Sequence, residues 1–190
     1  MLIRHADPDR DAAGCRAVYA PFVEHTAVSF EATPPSVAEY RRRISLISRT
    51  HAFLVADDDG QIAGFAYAGG YRERLAYQWT CEVTVYLDPG YHRRGLGRRL
   101  YLALFELLAA RGYRTAVAAI AIPNDASIGL HEACGFTRVG TFPRSGFKRG
   151  WRDVAWLQRP LGPSDESEPP PRIGPPALLP EPIVVGVGRS

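Results

Sequence analysis

A chain of 190 residues with 46% hydrophobic, 23% charged and 11% aromatic side chains can bury roughly two thirds of its unfolded surface in one domain and is too short for two full ones. Its 23 basic and 20 acidic residues leave a net charge of only +3, and acids interspersed among the arginines argue against a continuous nucleic-acid-binding stripe. Every basic residue but Lys148 is an arginine. Three cysteines, Cys15, Cys81 and Cys134, are an odd number without C-x-x-C spacing, so neither a disulfide framework nor a zinc cluster is expected, and a reducing cytoplasm suits them. The first residues lack the basic and apolar segments of an export signal, and no 18 apolar residues run together, so no membrane association is expected.

Leu2 to Ala6 reads as a first strand, after which Asp9 or Asp11 can cap a helix with Ala12, Cys15, Val18, Tyr19 and Phe22 on one face. Pro34-Pro35-Ser36 opens a second helix over about 37–48, where Arg41-Arg42-Arg43 reads as a solvated face. The segments 51–56 and 61–68 flank Asp57-Asp58-Asp59-Gly60, which has the chemistry of a hairpin turn and lacks the spacing of a calcium loop. A strand rich in β-branched residues spans Thr80 to Leu87 and stops at Asp88-Pro89-Gly90. A helix over about 95–111 carries Leu96, Leu100, Leu104, Leu107 and Leu108 on one side and ends at Gly112. Thr115 to Ile122 is an apolar strand; Asn124 opens a helix over about 125–134, and two strands, Phe136–Phe142 and Val154–Gln158, follow.

After residue 162 the composition changes. Residues 163–190 contain eight prolines and four acids, too little apolar surface for a core of their own, which predicts a disordered tail. Within it, Ile183-Val184-Val185-Gly186-Val187 is a short apolar patch suited to dock on a surface. Residues 1–162 form the folded domain.

The chemistry concentrates around the second half of that domain. Arg93-Arg94-Gly95-Leu96-Gly97-Arg98 lies between a strand and an amphipathic helix, where free backbone N–H groups at the positive end of the helix dipole suit a phosphate or pyrophosphate. It is neither a Walker loop nor the G-x-G-x-x-G turn. Glu82 stands charged on the otherwise apolar strand leading to that turn; it reads either as a general base or as a carboxylate paired with a neighbouring arginine. His131, near the end of its helix, reads as a proton carrier or as a structural histidine. Cys134 reads as a small core residue.

Three separated motifs then match one family in its order. Val83-Thr84-Val85-Tyr86-Leu87, Arg93-Arg94-Gly95-Leu96-Gly97-Arg98, and the run from Asn124 to Phe136 resemble the Gcn5-related N-acetyltransferases. The segments Phe30-Glu31-Ala32-Thr33-Pro34, Tyr77-Gln78-Trp79-Thr80 and Gly146 to Val154 are similar to the phosphinothricin N-acetyltransferase subgroup. The resemblance covers about 1–162. It implies a mixed α/β fold, a mostly antiparallel sheet of six or seven strands flanked by about four helices and splayed where acetyl-CoA enters.

The resemblance also implies site residues. Val85, Tyr86 and Leu87 would receive the acetyl end of the cofactor, Arg93, Arg94, Gly95, Leu96, Gly97 and Arg98 the pyrophosphate, and Asn124 the pantetheine arm. His92 departs from the family, which usually has Gln or Arg there. Glu82 would deprotonate the amine, directly or through water, and His131 would serve the thiolate or act as a base. Phe30, Arg72, Glu73, Arg74 and Tyr77 would form the acceptor pocket, with no metal involved and a homodimer as the assembly. The function expected is acetyl transfer from acetyl-CoA to a small amino-acid-like amine of the phosphinothricin or methionine sulfoximine type. The alternatives are the same chemistry on a polyamine, an aminoglycoside or a protein N-terminus, or an acyl-CoA-binding regulator without turnover.

Overall fold

The computed structural model describes residues 1–162 and 172–186. Its elements run β1 (Leu2–His5), α1 (Pro8–His25), α2 (Val37–Thr50), β2 (Phe53–Asp58), β3 (Gln61–Gly70), β4 (Thr80–Leu87), α3 (Leu96–Arg111), β5 (Thr115–Ile122), α4 (Asp125–Ala133), β6 (Thr137–Phe147), β7 (Trp151–Pro160) and β8 (Ile183–Val184). One sheet of eight strands has the order β6-β7-β5-β4-β3-β2-β1-β8. Every pairing is antiparallel except β4 with β5.

The sheet is covered on both faces, and the side-chain period of two divides the strands between them. Phe53 and Val55 of β2 and Phe65 of β3 pack with Cys15, Val18, Tyr19 and Ile44 of α1 and α2. Their neighbours Leu54, Ala56 and Ala66 point the other way and pack with Leu100, Leu104 and Leu108 of α3. This two-sided burial explains why 53–56 reads as an unbroken apolar run.

The parallel pair is short. Thr80, Cys81 and Glu82 pair with Thr115, Ala116 and Val117. Beyond that point β4 stays bonded to β3 as far as Leu87, opposite Gly64, and β5 stays bonded to β7 as far as Ile122, opposite Asp153. The two half-sheets therefore diverge, and a wedge opens between them.

Several local expectations change. Asp7, rather than Asp9 or Asp11, caps α1 by accepting from the backbone N–H groups of Asp9 and Arg10. Asp11 is 1% exposed and accepts two hydrogen bonds from Arg4, at 2.6 and 2.8 Å, because a buried carboxylate needs a charged partner. The arginine run on α2 is more than a solvated face: Arg43 reaches Glu31, 2.6 Å away, across to the α1–α2 connection. The final strands are longer than the composition suggests, since a register shift between Phe142 and Gly146 lets β6 continue to Phe147.

Residues 172–186 pack on the domain, against the disordered tail that composition predicts. Ile183 and Val184 pair with Ile3 and Leu2, and Val185 is 6% exposed within the core beneath α3. The Leu179 amide donates to His5 Nε2 at 3.0 Å. The Arg111 guanidinium donates to the carbonyls of Gly174 and Thr50. This is the docking for which the apolar patch is suited; Val187 and residues 163–171 lie outside the described residues.

Removing residues 172–190 should therefore destabilise the domain by about 2 kcal/mol, through lost apolar burial and the lost hydrogen bonds of Arg111 to Gly174 and of Leu179 to His5. A thermal melt should show Tm lower by about 4–8 °C; an unchanged Tm would count against the docked segment.

Candidate active site

The wedge is a backbone device. The Asp88 amide donates to Ala63 O on β3 at 3.0 Å. By the alternation of the pleat, the amides of Val85 and Leu87, beyond the last bonded pair, face the open side. A cavity of about 190 Å³ fills the wedge. Its walls are Glu82 to Tyr86 of β4, Ala118 to Ala121 of β5, Asn124, Ser127 and His131 of α4, and Val28 to Phe30 of the α1–α2 connection, with Tyr67 and Tyr101. Val83 belongs to the core on the α3 face and Tyr86 packs against the core on the α1–α2 face. The cavity thus joins the two faces of the sheet, so two reactants can approach it from opposite sides.

Glu82 occupies the last bonded pair before the strands part. Burial pushes its carboxyl above the ordinary carboxylate range. The ion pairs among the described residues are made by Asp9, Asp11, Glu24, Glu31, Glu39, Asp57 and Asp58. Among the described residues no arginine makes an ion pair with Glu82.

His131 is 4% exposed and held by both ring nitrogens. Nδ1 lies 2.7 Å from the Ser127 carbonyl, which only accepts, so Nδ1 carries the proton. Nε2, 2.9 Å from the Tyr101 hydroxyl, is then the acceptor. Burial holds the imidazole below its ordinary pKa, so it is neutral at pH 7. In this arrangement Nε2 has no proton to give; it can only take one, and that narrows the two roles expected of it.

The glycine turn presents the backbone as anticipated. Gly95 stands at the N-cap of α3 with φ +73° and offers no side chain to cap the helix, so the first N–H groups of α3 have no partner within it. Arg93 takes a left-handed φ of +60° just before. Arg93, Arg94, Arg98 and Arg99 are exposed around this end. Gly97 serves a different purpose from the close ligand approach its type suggests. A Cβ there would meet Leu130 at 3.0 Å and Leu87 at 3.4 Å, so the missing side chain lets α3, α4 and β4 pack, and Leu96 is buried beside it. What Gly97 offers a ligand is its amide. His92, in the place where the family usually has Gln or Arg, lies with Nε2 3.2 Å from the Leu87 carbonyl and closes the end of β4.

Other expected residues divide. Phe30 lines the cavity and Asn124 both lines it and caps α4, its Oδ1 accepting from the Ser127 amide at 3.2 Å. Arg72, Glu73, Arg74 and Tyr77 do not line the cavity; they are exposed on the β3–β4 connection, where Arg72 lies over the Tyr71 ring and Tyr77 packs edge-on against it. Tyr101 is the site residue that spacing misses. It falls within the leucine-rich face of α3 and looks like core; the only signal was that a buried tyrosine hydroxyl requires a partner.

Residues 3–156 match the acetyltransferase (GNAT) domain. The chain is 39% identical over 171 residues to a phosphinothricin N-acetyltransferase of Streptomyces viridochromogenes, covering 90% of this chain and 91% of that protein. It is 34% identical over 166 residues to an L-methionine sulfoximine/L-methionine sulfone acetyltransferase of Salmonella typhimurium, covering 85% and 95%. Among solved structures, a GNAT superfamily phosphinothricin acetyltransferase from Sinorhizobium meliloti in complex with AcCoA superposes with a TM-score of 0.83 at 35% identity, covering 89% and 92%. With the splayed β4–β5 pair and the uncapped α3 in place, these likenesses show that the chain belongs to the acetyltransferase (GNAT) family.

Proposed function

We propose that the protein transfers the acetyl group of acetyl-CoA to the amine of a small amino-acid-like acceptor of the phosphinothricin or methionine sulfoximine type. The observation that carries this reading is Glu82 at the apex of the wedge, half-buried, without an ion-pair partner among the described residues and in the same cavity as His131.

The residues present fit acetyl-CoA. Its pantetheine arm can lie against the open amides of Val85 and Leu87 as an added strand, with Asn124 alongside. Its pyrophosphate suits the amides of residues 93–98 and the arginines around them. Acetyl-CoA supplies the thioester; the chain supplies the rest. An amine at pH 7 is mostly protonated and cannot attack. Glu82 takes that proton, directly or through one water, and its raised pKa brings it closer to the operating pH, where a base is most effective. The His131–Tyr101 pair forms a fixed polar wall on the α3–α4 side, and Nε2 is the atom there that can receive a proton. Phe30 and Tyr86 form the aromatic wall on the acceptor side. Placing Arg72 and Arg74 at the acceptor requires the partner subunit or a movement of the β3–β4 connection.

A homodimer suits the surface of β6, which forms one edge of the sheet. Val139, Phe142, Phe147 and Trp151 are 54–70% exposed along this hairpin, an apolar concentration that isolated surface residues do not produce. Among the described residues no helix is long and apolar enough to cross a membrane.

Release of CoA should be measured with phosphinothricin, methionine sulfoximine, common amino acids, a polyamine and an aminoglycoside. The first two should turn over with the highest kcat/KM; equal or better use of a polyamine or aminoglycoside would overturn the acceptor class. Glu82→Gln should lower kcat by about 100-fold or more while leaving acetyl-CoA affinity close to wild type. In the wild type, kcat should rise with pH along a limb above the ordinary carboxylate range, and that limb should vanish in the variant. Tyr101→Phe leaves a buried imidazole nitrogen without its donor and should cost about 1–3 kcal/mol, read as a lower Tm. Sedimentation should give a two-chain species that Phe147→Asp converts to one chain.

A further inference from the structure

The one lysine of the chain grips the wall of the acceptor site. Lys148 follows the last residue of β6 and opens the turn to β7. Arg149 and Gly150 take left-handed conformations, φ +53° and +104°, and the turn closes with the Lys148 amide donating to Gly150 O at 3.0 Å. Its side chain reaches across to the α1–α2 connection. There Nζ donates to Val23 O at 2.7 Å, Ser29 O at 2.8 Å and Glu31 O at 2.6 Å. An ammonium has three donors and no acceptor, and here all three are satisfied by main-chain carbonyls. Val23 lies in the last turn of α1, where carbonyls have no helical partner. The other two carbonyls bracket Phe30.

The same hairpin holds Phe30 from a second side. A Cβ on Gly146 would fall 2.2 Å from Phe30 Cε2, so the aromatic ring occupies the space that a side chain would fill. On its inner side the connection is tied down independently. The Tyr19 hydroxyl lies 2.5 Å from Ser29 Oγ and donates to Glu31 Oε1 at 3.0 Å, and Arg43 Nη1 reaches the same carboxylate at 2.6 Å. The Tyr19 ring in turn meets Tyr86 of β4, with centroids 4.8 Å apart. Val28, Ser29 and Phe30, the residues so fastened, are the part of the connection that lines the catalytic cavity.

We infer that Lys148 is a positioning residue for the acceptor: its three bonds to Val23, Ser29 and Glu31 carbonyls fix the Val28–Phe30 wall, and so set acceptor affinity without touching acetyl-CoA. The second half of the claim follows from placement, because the acetyl-CoA candidates lie on β4, the α3 turn and α4, and none of the three bonds reaches them. The geometry also explains why this position is lysine in a chain that uses arginine everywhere else. Three carbonyls converging on one point suit a tetrahedral ammonium, whereas a planar guanidinium fork directs its donors in one plane.

The inference rests on the acceptor reading proposed above, and its test separates the two. Lys148→Met and Lys148→Arg should be made in the full chain and compared with wild type for phosphinothricin KM, acetyl-CoA KM, kcat and amide hydrogen exchange. Both variants should raise acceptor KM about tenfold or more and leave acetyl-CoA KM within about twofold. Exchange over 26–31 should quicken while exchange over 83–87 stays as it was. The inference is overturned if acceptor KM is unchanged, if arginine restores it, or if both substrates weaken in parallel. If neither lysine variant folds, Gly146→Ala displaces Phe30 from the opposite side and should give the same split between substrates; no split overturns the inference. Should wild type acetylate neither phosphinothricin nor methionine sulfoximine, the acceptor reading fails, and unchanged exchange over 26–31 in Lys148→Met would still overturn the clamp on its own.

Discussion

Between β4 and β5 the ladder of hydrogen bonds runs for three residue pairs and then stops, and the rest of the architecture serves to keep those two strands apart. Each strand is bonded along its outer side to its end, β4 by β3 and β5 by β7, while beyond the third pair its inward amides point into the wedge. The wedge is thereby rigid and its open edge is polar, which is what an extended amide-bearing cofactor arm needs. Helix α3 starts at the mouth of the wedge because Gly95 can adopt a left-handed conformation there. The same opening connects both faces of the sheet, as the proposed meeting of an acyl donor and an amine at Glu82 requires.

Two kinds of polar group surround that meeting point, and burial treats them differently. Glu82 is desolvated with no ion-pair partner among the described residues, which favours its neutral form and raises its pKa. His131 is desolvated as well, but burial works against its charged form and lowers its pKa. The two groups are pushed towards each other on the pH scale. In the proposed mechanism the carboxylate takes the proton of the amine, and the imidazole, locked by Ser127 and Tyr101, gives shape and an acceptor nitrogen to the other side.

The wall proposed for the acceptor, Val28 to Phe30, belongs to a connection with no regular secondary structure. Side chains from three elements hold residues 26–31: Tyr19 of α1 at the Ser29 hydroxyl and the Glu31 carboxylate, Arg43 of α2 at the same carboxylate, and Lys148 of the β6–β7 turn at the main-chain carbonyls of Ser29 and Glu31. Such a wall is positioned by charge-assisted bonds, whose strength depends on geometry more than on area buried.

Much of this was written locally. The apolar run of 53–56, the leucines of α3, the caps at Ser36 and Asn124 and the left-handed glycines at 95 and 112 each follow from short-range chemistry, so the elements and their order were legible in the residues themselves. Glu82 and the glycine turn were also legible, because a lone charge on an apolar strand and a glycine pair at a helix start are local anomalies. Other features depend on contacts that no neighbour in sequence announces. The docking of 172–186 needs Arg111 and His5, more than 60 residues away; the Tyr101–His131 bond spans 30 residues. Lys148 stands more than 115 residues from its three acceptors. The sequence by itself determined the elements, the family and the candidates proposed for catalysis, since those depend on side-chain identity and spacing. Only the tertiary structure decided where β4 and β5 separate, which nitrogen of His131 holds its proton and what fastens residues 28–31, because each depends on which distant groups meet once the chain is packed.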